Sequence, residues 1–335
     1  MTDKLNVAVI GLGNMGRHHA KNYHNIDTAN LVAVCDKNPD TVENFSREYH
    51  CNGYTSLDAM IANETLDAVS VVAPTFLHYE IAKTLIKNDI NLLIEKPICD
   101  NVEKAKELVT LSQERDLTLM VGHIERFNPA VAKLKSLIDS DRIGKITSLI
   151  GKRVGIFPSQ IKDANVIIDL AVHDIDIFSY LLNKQPDNVY ANSGRALVNG
   201  REDYAELFLT YGDQNTFIQV NWITPIRIRN LAITGTRGYA ELNYMTQELV
   251  FYESNYSKEV DPLGEHVITF SESKKEVIPV EKKAPLEEEL RHFLDCVKTK
   301  RTPLITGDHG LNALSIAIQA MKQMNMALFQ AEKCS

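Results

Sequence analysis

VAVIGLGNMGRHH, residues 7–19, decides how the first part of this chain folds. Four apolar residues run into Gly11, Gly13 and Gly16, and a helical pattern starts directly after them. In a strand-turn-helix with GxGxxG spacing, Gly11 permits the tight turn and Gly13 lets the backbone approach a pyrophosphate. Gly16 lets the helix pack closely on the strand. Asn14 and Met15 complete the loop, and the helix N-terminus behind it faces an anion. The glycine spacing alone is a weak signal, because purely structural occurrences are common. The next strand, LVAVCDKN at 31–38, ends in Asp36, where an acidic side chain accepts hydrogen bonds from an adenosine ribose. Together these features predict a dinucleotide cofactor. Asp36 favours NAD over NADP because a carboxylate repels a 2′-phosphate, while Lys37 beside it pulls the other way.

Short apolar runs at 5–10, 31–35, 68–73 and 92–94 alternate with longer amphipathic segments. That alternation is the βαβ signature of a parallel sheet. NVEKAKELVTLSQERD at 101–116 reads as a helix capped by Asp100 or Asn101, and LTLMVGH at 117–123 as the following strand. In VVAPTFLHYE at 71–80, Pro74 and Thr75 fall at the carboxyl edge of the sheet, where doubly wound folds bind ligands, and His78 opens the next helix. For each of these three taken singly, an ordinary strand-to-helix turn is an equal reading.

Beyond residue 122 the texture changes. A helical pattern at 128–140 leads to KITSLIGKRV and then to DYAELFLTY, NTFIQVNWI, RNLAITG and YAELNY. Alternation broken by turn residues predicts an antiparallel sheet with one face covered. Two helical patterns follow at 286–299 and 310–330. The fold class is therefore α/β: a Rossmann dinucleotide-binding domain over 1–122, then an α/β domain with a largely antiparallel open sheet over 123–335.

The 335 residues carry a formal charge of −8, which argues against a nucleic-acid surface or a polybasic membrane patch. No apolar run reaches the roughly 18 residues of a membrane span, and the chain enters its first strand at once, so a cytoplasmic enzyme acting on small molecules is expected. Cys35, Cys51, Cys99, Cys296 and Cys334 lack CxxC spacing, which suits reduced thiols. His123 and Glu125 form an H-x-E fragment with no PCxxC after it, and no metal is expected.

A second decisive stretch is NLLIEKPICD at 91–100. Its strand ends at the same carboxyl edge, so Lys96 faces the expected position of the nicotinamide. An ammonium there can polarise a substrate oxygen or stabilise an alkoxide. Glu95 can orient it, and Pro97 fixes the chain's exit, with a cis Lys96–Pro97 bond expected.

The glycine loop, Asp36, APTFLH and EKP, in this order, resemble the Gfo/Idh/MocA family of NAD(P)-dependent sugar and polyol oxidoreductases, and the similarity runs along the whole chain. The resemblance implies that the second domain's open sheet forms the substrate floor and often an oligomer interface, hence a homodimer or homotetramer. It also implies an Asp-x-x-x-His pair, which IIDLAVHDIDIF at 167–178 supplies as Asp169 and His173. Four residues apart on a helix, the two side chains share a face. Histidine suits the base that takes a hydroxyl proton while hydride leaves the carbon, with Asp169 orienting it. Without the resemblance, such a pair is more often a surface pair. Asn165, Val166 and Ile167 stand where the family commonly has glycines, so the approach loop differs in shape.

VGHIERFNPAV, IIDLAVHDIDIF and NWITPIRIRNLAITGTRGYAELNYMTQEL resemble the branch of that family acting on UDP-N-acetylglucosamine. This implies oxidation of the sugar C3 hydroxyl to a 3-keto nucleotide sugar, which a partner aminotransferase converts to a 3-amino sugar for lipid A or surface glycans. His123, Arg126, Arg153, Arg227 and Arg229 are the groups expected near a diphosphate substrate, together with Lys96, Asp169 and His173. Each arginine taken singly is more often structural. The alternatives are a dehydrogenase of a free polyol or sugar such as inositol, using the same triplet, and a non-catalytic NAD-binding regulator. Retention of Lys96, Asp169 and His173 together argues against the regulator.

Overall fold

The computed structural model describes residues 4–157, 164–197, 200–260 and 266–334. The chain forms two compact units, 1–127 with 283–315, and 128–282 with 316–335. In the first unit β1 (Leu5–Ile10) leads to α1 (Asn14–Asn25), β2 (Ala29–Cys35), α2 (Pro39–Tyr49), β3 (Asn52–Tyr54) and α3 (Leu57–Asn63). The chain continues through β4 (Ala68–Val71), α4 (Thr75–Lys87), β5 (Asn91–Glu95), α5 (Val102–Glu114) and β6 (Leu119–Gly122). All six strands run parallel in the order β3-β2-β1-β4-β5-β6. The chain winds outward from β1 on one side and from β4 on the other. Their shared carboxyl edge is thus the switch point at which this topology opens a crevice.

Local chemistry explains where the helices start. Asn38 accepts from the amides of Asp40 and Thr41 with Pro39 behind it, Ser56 caps α3, and Asn101 accepts from Glu103 and Lys104. Of the two candidates for the α5 cap, the structure selects Asn101. By contrast, α1 begins at Gly13 with no side-chain cap, so its first amides are left for a ligand. β3 gave no sequence signal because it has three residues and Gly53 at its centre. A Cβ on Gly53 would lie 2.5 Å from Val42 Cγ1, so α2 excludes a side chain there.

In the second unit α6 (Pro129–Asp139), capped by Asn128, precedes β7 (Ile146–Ile156). A π-helical turn, Ile167–Ala171, runs into α7 (Val172–Leu182). There follow β8 (Asn188–Gly194), β9 (Tyr204–Tyr211), β10 (Gln214–Asn221), β11 (Ile223–Gly235), β12 (Gly238–Asn243) and β13 (Glu248–Glu253). Then come β14 (Tyr256–Val260), β15 (His266–Phe270) and β16 (Lys274–Ile278). Eight strands form one sheet in the order β16-β13-β12-β11-β7-β10-β9-β8, antiparallel except for β10 with β7, and β14–β15 make a separate ribbon.

One face of this sheet is buried through Leu207, Leu209, Ile218, Val220, Leu231 and Ile233. α7 lies close over Gly151 of β7, where a Cβ would stand 3.1 Å from Phe178 and 3.2 Å from Asp174. The opposite face carries a row of paired positions, Tyr190, Phe208, Phe217, Ile150, Ala232, Glu241, Val250 and Val277, one per strand. Tyr190, Phe208, Phe217, Ile150 and Val277 in that row are exposed.

The chain then returns to the first unit as α8 (Pro285–Thr299) and the start of α9 (Gly307–Cys334). α8 packs on α1 and on the 3-10 turn Ile124–Phe127, and Val121 bonds to Ile305 O, so residues 283–315 fold with the parallel sheet. Cys35, Cys51, Cys99 and Cys296 are free thiols, and the Cys334 side chain lies outside those described. Among the described residues no helix is long and apolar enough to cross a membrane.

Candidate active site

The glycine loop has the shape a pyrophosphate requires. Gly11 adopts φ +90° and its amide bonds to Cys35 O at 2.8 Å. A Cβ on Gly11 would lie 2.6 Å from Ala73 N, and one on Gly16 would lie 1.9 Å from Gly11 O. At Gly13 nothing stands within 4 Å. The loop is thus packed shut at two glycines and open at the third, directly before the uncapped start of α1. Asn14 beside it is exposed and Met15 half-buried. Asp36, at the end of β2, accepts from Leu12 N at 2.8 Å and from Asn38 N at 2.9 Å, so its carboxylate is held beside the loop. These residues fit NAD: the loop and helix for the pyrophosphate, Asp36 for the ribose.

At the β4 and β5 edge, Pro74 and Thr75 start α4, and the Lys96–Pro97 bond is cis. His78 is 1% exposed, with Nδ1 2.9 Å from Pro97 O and Nε2 2.7 Å from Ala73 O. Both neighbours are carbonyl acceptors, so a neutral ring donates to one of them at a time and an imidazolium donates to both. The ring that sequence reasoning assigned to the cofactor therefore ties the APT turn to the EKP turn.

Glu95 does more than face Lys96. Its Oε1 meets His19 Nε2 at 3.1 Å, and its Oε2 accepts from the Lys96 backbone amide at 3.1 Å. Gly122 leaves room for it, since a Cβ there would lie 3.1 Å from the carboxyl group. Burial alone would raise this carboxyl. The hydrogen bond from His19, followed by the nearby Lys96, outweighs burial and holds it below the ordinary carboxylate range. His19 escaped sequence reasoning, yet it shares α1's buried face with Gly16, Ala20 and Tyr23. That helical periodicity was the available signal. His123 and Arg126 are 1% and 4% exposed, and Arg126 Nη1 donates to Leu304 O at 3.2 Å, so both sit inside the first unit.

In the second unit Asn165, standing where the family commonly has glycine, accepts from Ile167 N at 3.2 Å and Ile168 N at 3.1 Å and so starts the π-helical turn. Val166 and Ile167 are fully buried beneath it. Asp169 lies in that turn and His173 in the first turn of α7, both half-buried. Sequence reasoning placed them on one regular helix, whereas the wider π turn joins them across an i→i+5 bond from Val172 N to Ile167 O. Trp222 Nε1 donates to Asp169 Oδ2 at 3.2 Å and fixes the carboxylate. No motif pointed to Trp222, because its partner lies 53 residues away.

The arginines divide by environment. Arg153 is 3% exposed, grips Asp174 through Nε at 3.0 Å and Nη2 at 3.1 Å, and stacks 4.7 Å over Tyr244. Its charge is matched inside the unit, where it anchors α7. Arg229 Nη1 donates to Val154 O at 2.6 Å and Ile228 O at 2.9 Å. Burial first, then repulsion from Arg153 and Arg227, pushes its guanidinium down to about 10 against the pull of Asp174 and Asp169. Arg227 is exposed on the same strand.

A concavity of about 570 Å³ lies at the amino edge of the parallel sheet, around Asn91, Leu119 and Gly307, at the opposite end of the strands from the glycine loop and Lys96. Among the described residues no three His, Cys, Asp or Glu side chains are arranged to hold a metal ion.

Comparison with known proteins supplies the family. Residues 5–123 match the model described as oxidoreductase family, NAD-binding Rossmann fold, and residues 135–327 match its C-terminal alpha/beta domain. A UDP-N-acetylglucosamine 3-dehydrogenase from Acidithiobacillus ferrooxidans is 28% identical over 94% of this chain and 96% of its own. A solved structure of that enzyme superposes with a TM-score of 0.83 at 27% identity, covering 96% of this chain and 98% of the other. A scyllo-inositol 2-dehydrogenase (NAD(+)) from Bacillus subtilis is 27% identical over 96% of this chain and 94% of its own. The chain belongs to the Gfo/Idh/MocA oxidoreductase family, with that family's NAD-binding Rossmann fold and C-terminal α/β domain.

Proposed function

We propose that this protein uses NAD to oxidise the C3 hydroxyl of UDP-N-acetylglucosamine to the 3-keto nucleotide sugar. The observation that carries the reading is Arg229, a half-buried cation under the influence of Asp169, with Arg227 exposed two residues before it on the same strand. Two cations there suit a diphosphate, and a neutral substrate has little use for them. The relative of that activity, similar over nearly the whole length of both chains, supports the same choice.

In this reading His173 takes the proton of the C3 hydroxyl, and Asp169, steadied by Trp222, orients its ring. Lys96 stabilises the charge that develops on that oxygen, an effect worth about 3 kcal/mol in comparable sites. NAD, when bound, supplies the hydride acceptor. Glu95 holds the Lys96 backbone, and the glycine loop with Asp36 holds the cofactor. A sugar aminotransferase would consume the ketone. The row of exposed aromatic and aliphatic side chains across the open sheet supports a homo-oligomer formed through that face.

A second reading is supported by Arg126 and Arg153, which are buried and bonded within their units, so fewer cations remain for a diphosphate than the sequence offered. A neutral polyol would then be the substrate, in line with the inositol dehydrogenase relative.

The test is incubation with NAD and UDP-N-acetylglucosamine, with a sugar aminotransferase and glutamate to remove the ketone, followed by mass spectrometry. Loss of two hydrogens and then gain of an amine at C3 supports the nucleotide-sugar reading. Turnover of inositol with none of the nucleotide sugar selects the polyol reading. NAD binding with neither selects a regulator.

A further inference from the structure

On α8, within electrostatic reach of Glu95, lies a group that the reaction above does not use. Glu289 of α8 is 0% exposed, and among the described residues neither of its carboxyl oxygens has a hydrogen-bond partner. A buried carboxyl with no partner is costly and calls for an explanation. His19, also 0% exposed, presents the complementary orphan: Nε2 meets Glu95, and Nδ1 has no partner. The two orphans belong to helices packed on each other, since α8 lies against α1. Glu289 lies within electrostatic reach of Tyr23, one turn after His19 on the same face of α1, and of Glu95, the partner of His19.

The surrounding groups leave Glu289 few other partners. Tyr23 Oη pairs with Ser70 at 2.7 Å. The 3-10 turn packed on α8 carries Glu125 and Arg126, and Arg126 Nη1 donates to Leu304 O. On α8 itself His292 accepts from Leu304 N at 2.9 Å. From the end of β5 come Glu95 and Lys96. Burial, and after it the negative charge of Glu95, raises the Glu289 carboxyl well above its ordinary range, while His19 keeps Glu95 ionised. Two neighbouring carboxyl groups driven apart in this way divide into one donor and one acceptor.

We propose that Glu289 is a positioning residue, a neutral carboxylic acid whose O–H is linked to His19 Nδ1 through one buried water. The chain then runs from Glu289 O–H through that water to His19 Nδ1, from His19 Nε2–H to Glu95 Oε1, and from Lys96 N–H to Glu95 Oε2. Every group in it finds its partner, the histidine is held as the Nε2–H tautomer, and one negative charge stays fixed under Lys96. The importance of that charge for turnover rests on the catalytic role proposed for Lys96.

Two measurements on the full-length protein with NAD bound separate this proposal from the reading it rests on. The first is ¹⁵N NMR of histidine-labelled protein, with His19 assigned by its loss in His19→Gln. Wild type and Glu289→Gln should show a neutral Nε2–H ring at pH 7, because a glutamine amide can still donate to the water, whereas Glu289→Met should lose the single tautomer. An imidazolium in wild type, or an unchanged ring in Glu289→Met, overturns the proposal whatever the substrate is. The second is turnover on whichever sugar or polyol proves to be the substrate. Glu289→Gln should keep kcat within about threefold, and Glu289→Met should lose about tenfold with the KM for NAD little changed, as expected of slight misplacement. Equal impairment in both variants would mean an ionised Glu289 and would also overturn it.

Discussion

Single side chains decide the chemistry of this protein, and the clearest division is between those that face solvent and those that hold others in place. Lys96, Asp169 and His173 are half-buried, whereas His19, His78 and Glu289 are sealed and bonded or packed behind the turns that carry function. Replacing Lys96 or His173 with alanine should cut kcat at least about a hundredfold while the dissociation constant for NAD, measured by nucleotide fluorescence, changes little. Equal loss of NAD affinity would assign them to the cofactor instead. Glu289 makes a separate prediction about stability. Its folded-state pKa stands above the ordinary 4.5, so the folded chain binds more protons than the unfolded one in the window above that value. The stability that this proton confers is complete below about pH 4.5 and is lost as pH rises through the folded pKa, at up to roughly 1.4 kcal/mol per pH unit. The Tm advantage of Glu289→Gln over wild type should therefore grow between about pH 5 and pH 8. A constant difference across that range would mean Glu289 is ionised in the fold.

Among the elements, the junction of the π-helical turn with α7 is the one that local pattern least anticipates. Asn165 accepts from the amides of Ile167 and Ile168 at its start, Trp222 fixes Asp169, and the Arg153–Asp174 pair pins α7 to β7 beside Phe178. Arg153→Met removes the guanidinium that grips buried Asp174, which should lower stability by about 3–5 kcal/mol in denaturant titration. The double variant Arg153→Met with Asp174→Leu should recover most of the loss, and failure to recover would mean the pair does more than neutralise itself. The legibility of elements follows the range of their contacts. The glycine loop, Asp36 and EKP are readable because each works within one strand and the turn after it. Trp222 with Asp169, and His19 with Glu95, join residues 53 and 76 positions apart, and local spacing, which marks His19 as buried, does not announce either pairing. Arg153 was visible as a cation, but its buried partner 21 residues on was not, so it read as available for substrate.

For the molecule as a whole, the class of each unit followed from periodicity: parallel strands from apolar runs alternating with helices, and an open antiparallel sheet from polar–apolar alternation. The return of residues 283–315 to the parallel sheet had no such signal, because it depends on which surface the amphipathic α8 covers. The open face of the large sheet, with Phe217 and Ile150 paired at its centre, is the proposed contact between copies. Phe217→Lys with Ile150→Lys should lower the oligomeric mass seen by sedimentation without unfolding the chain, and an unchanged mass would move the contact elsewhere. The central claim, that NAD takes hydride from C3 of UDP-N-acetylglucosamine, is tested most directly with substrate carrying deuterium at C3. The NADH formed should be one mass unit heavier. NADH formed at normal mass from that labelled sugar would place the oxidation at another carbon and contradict the account.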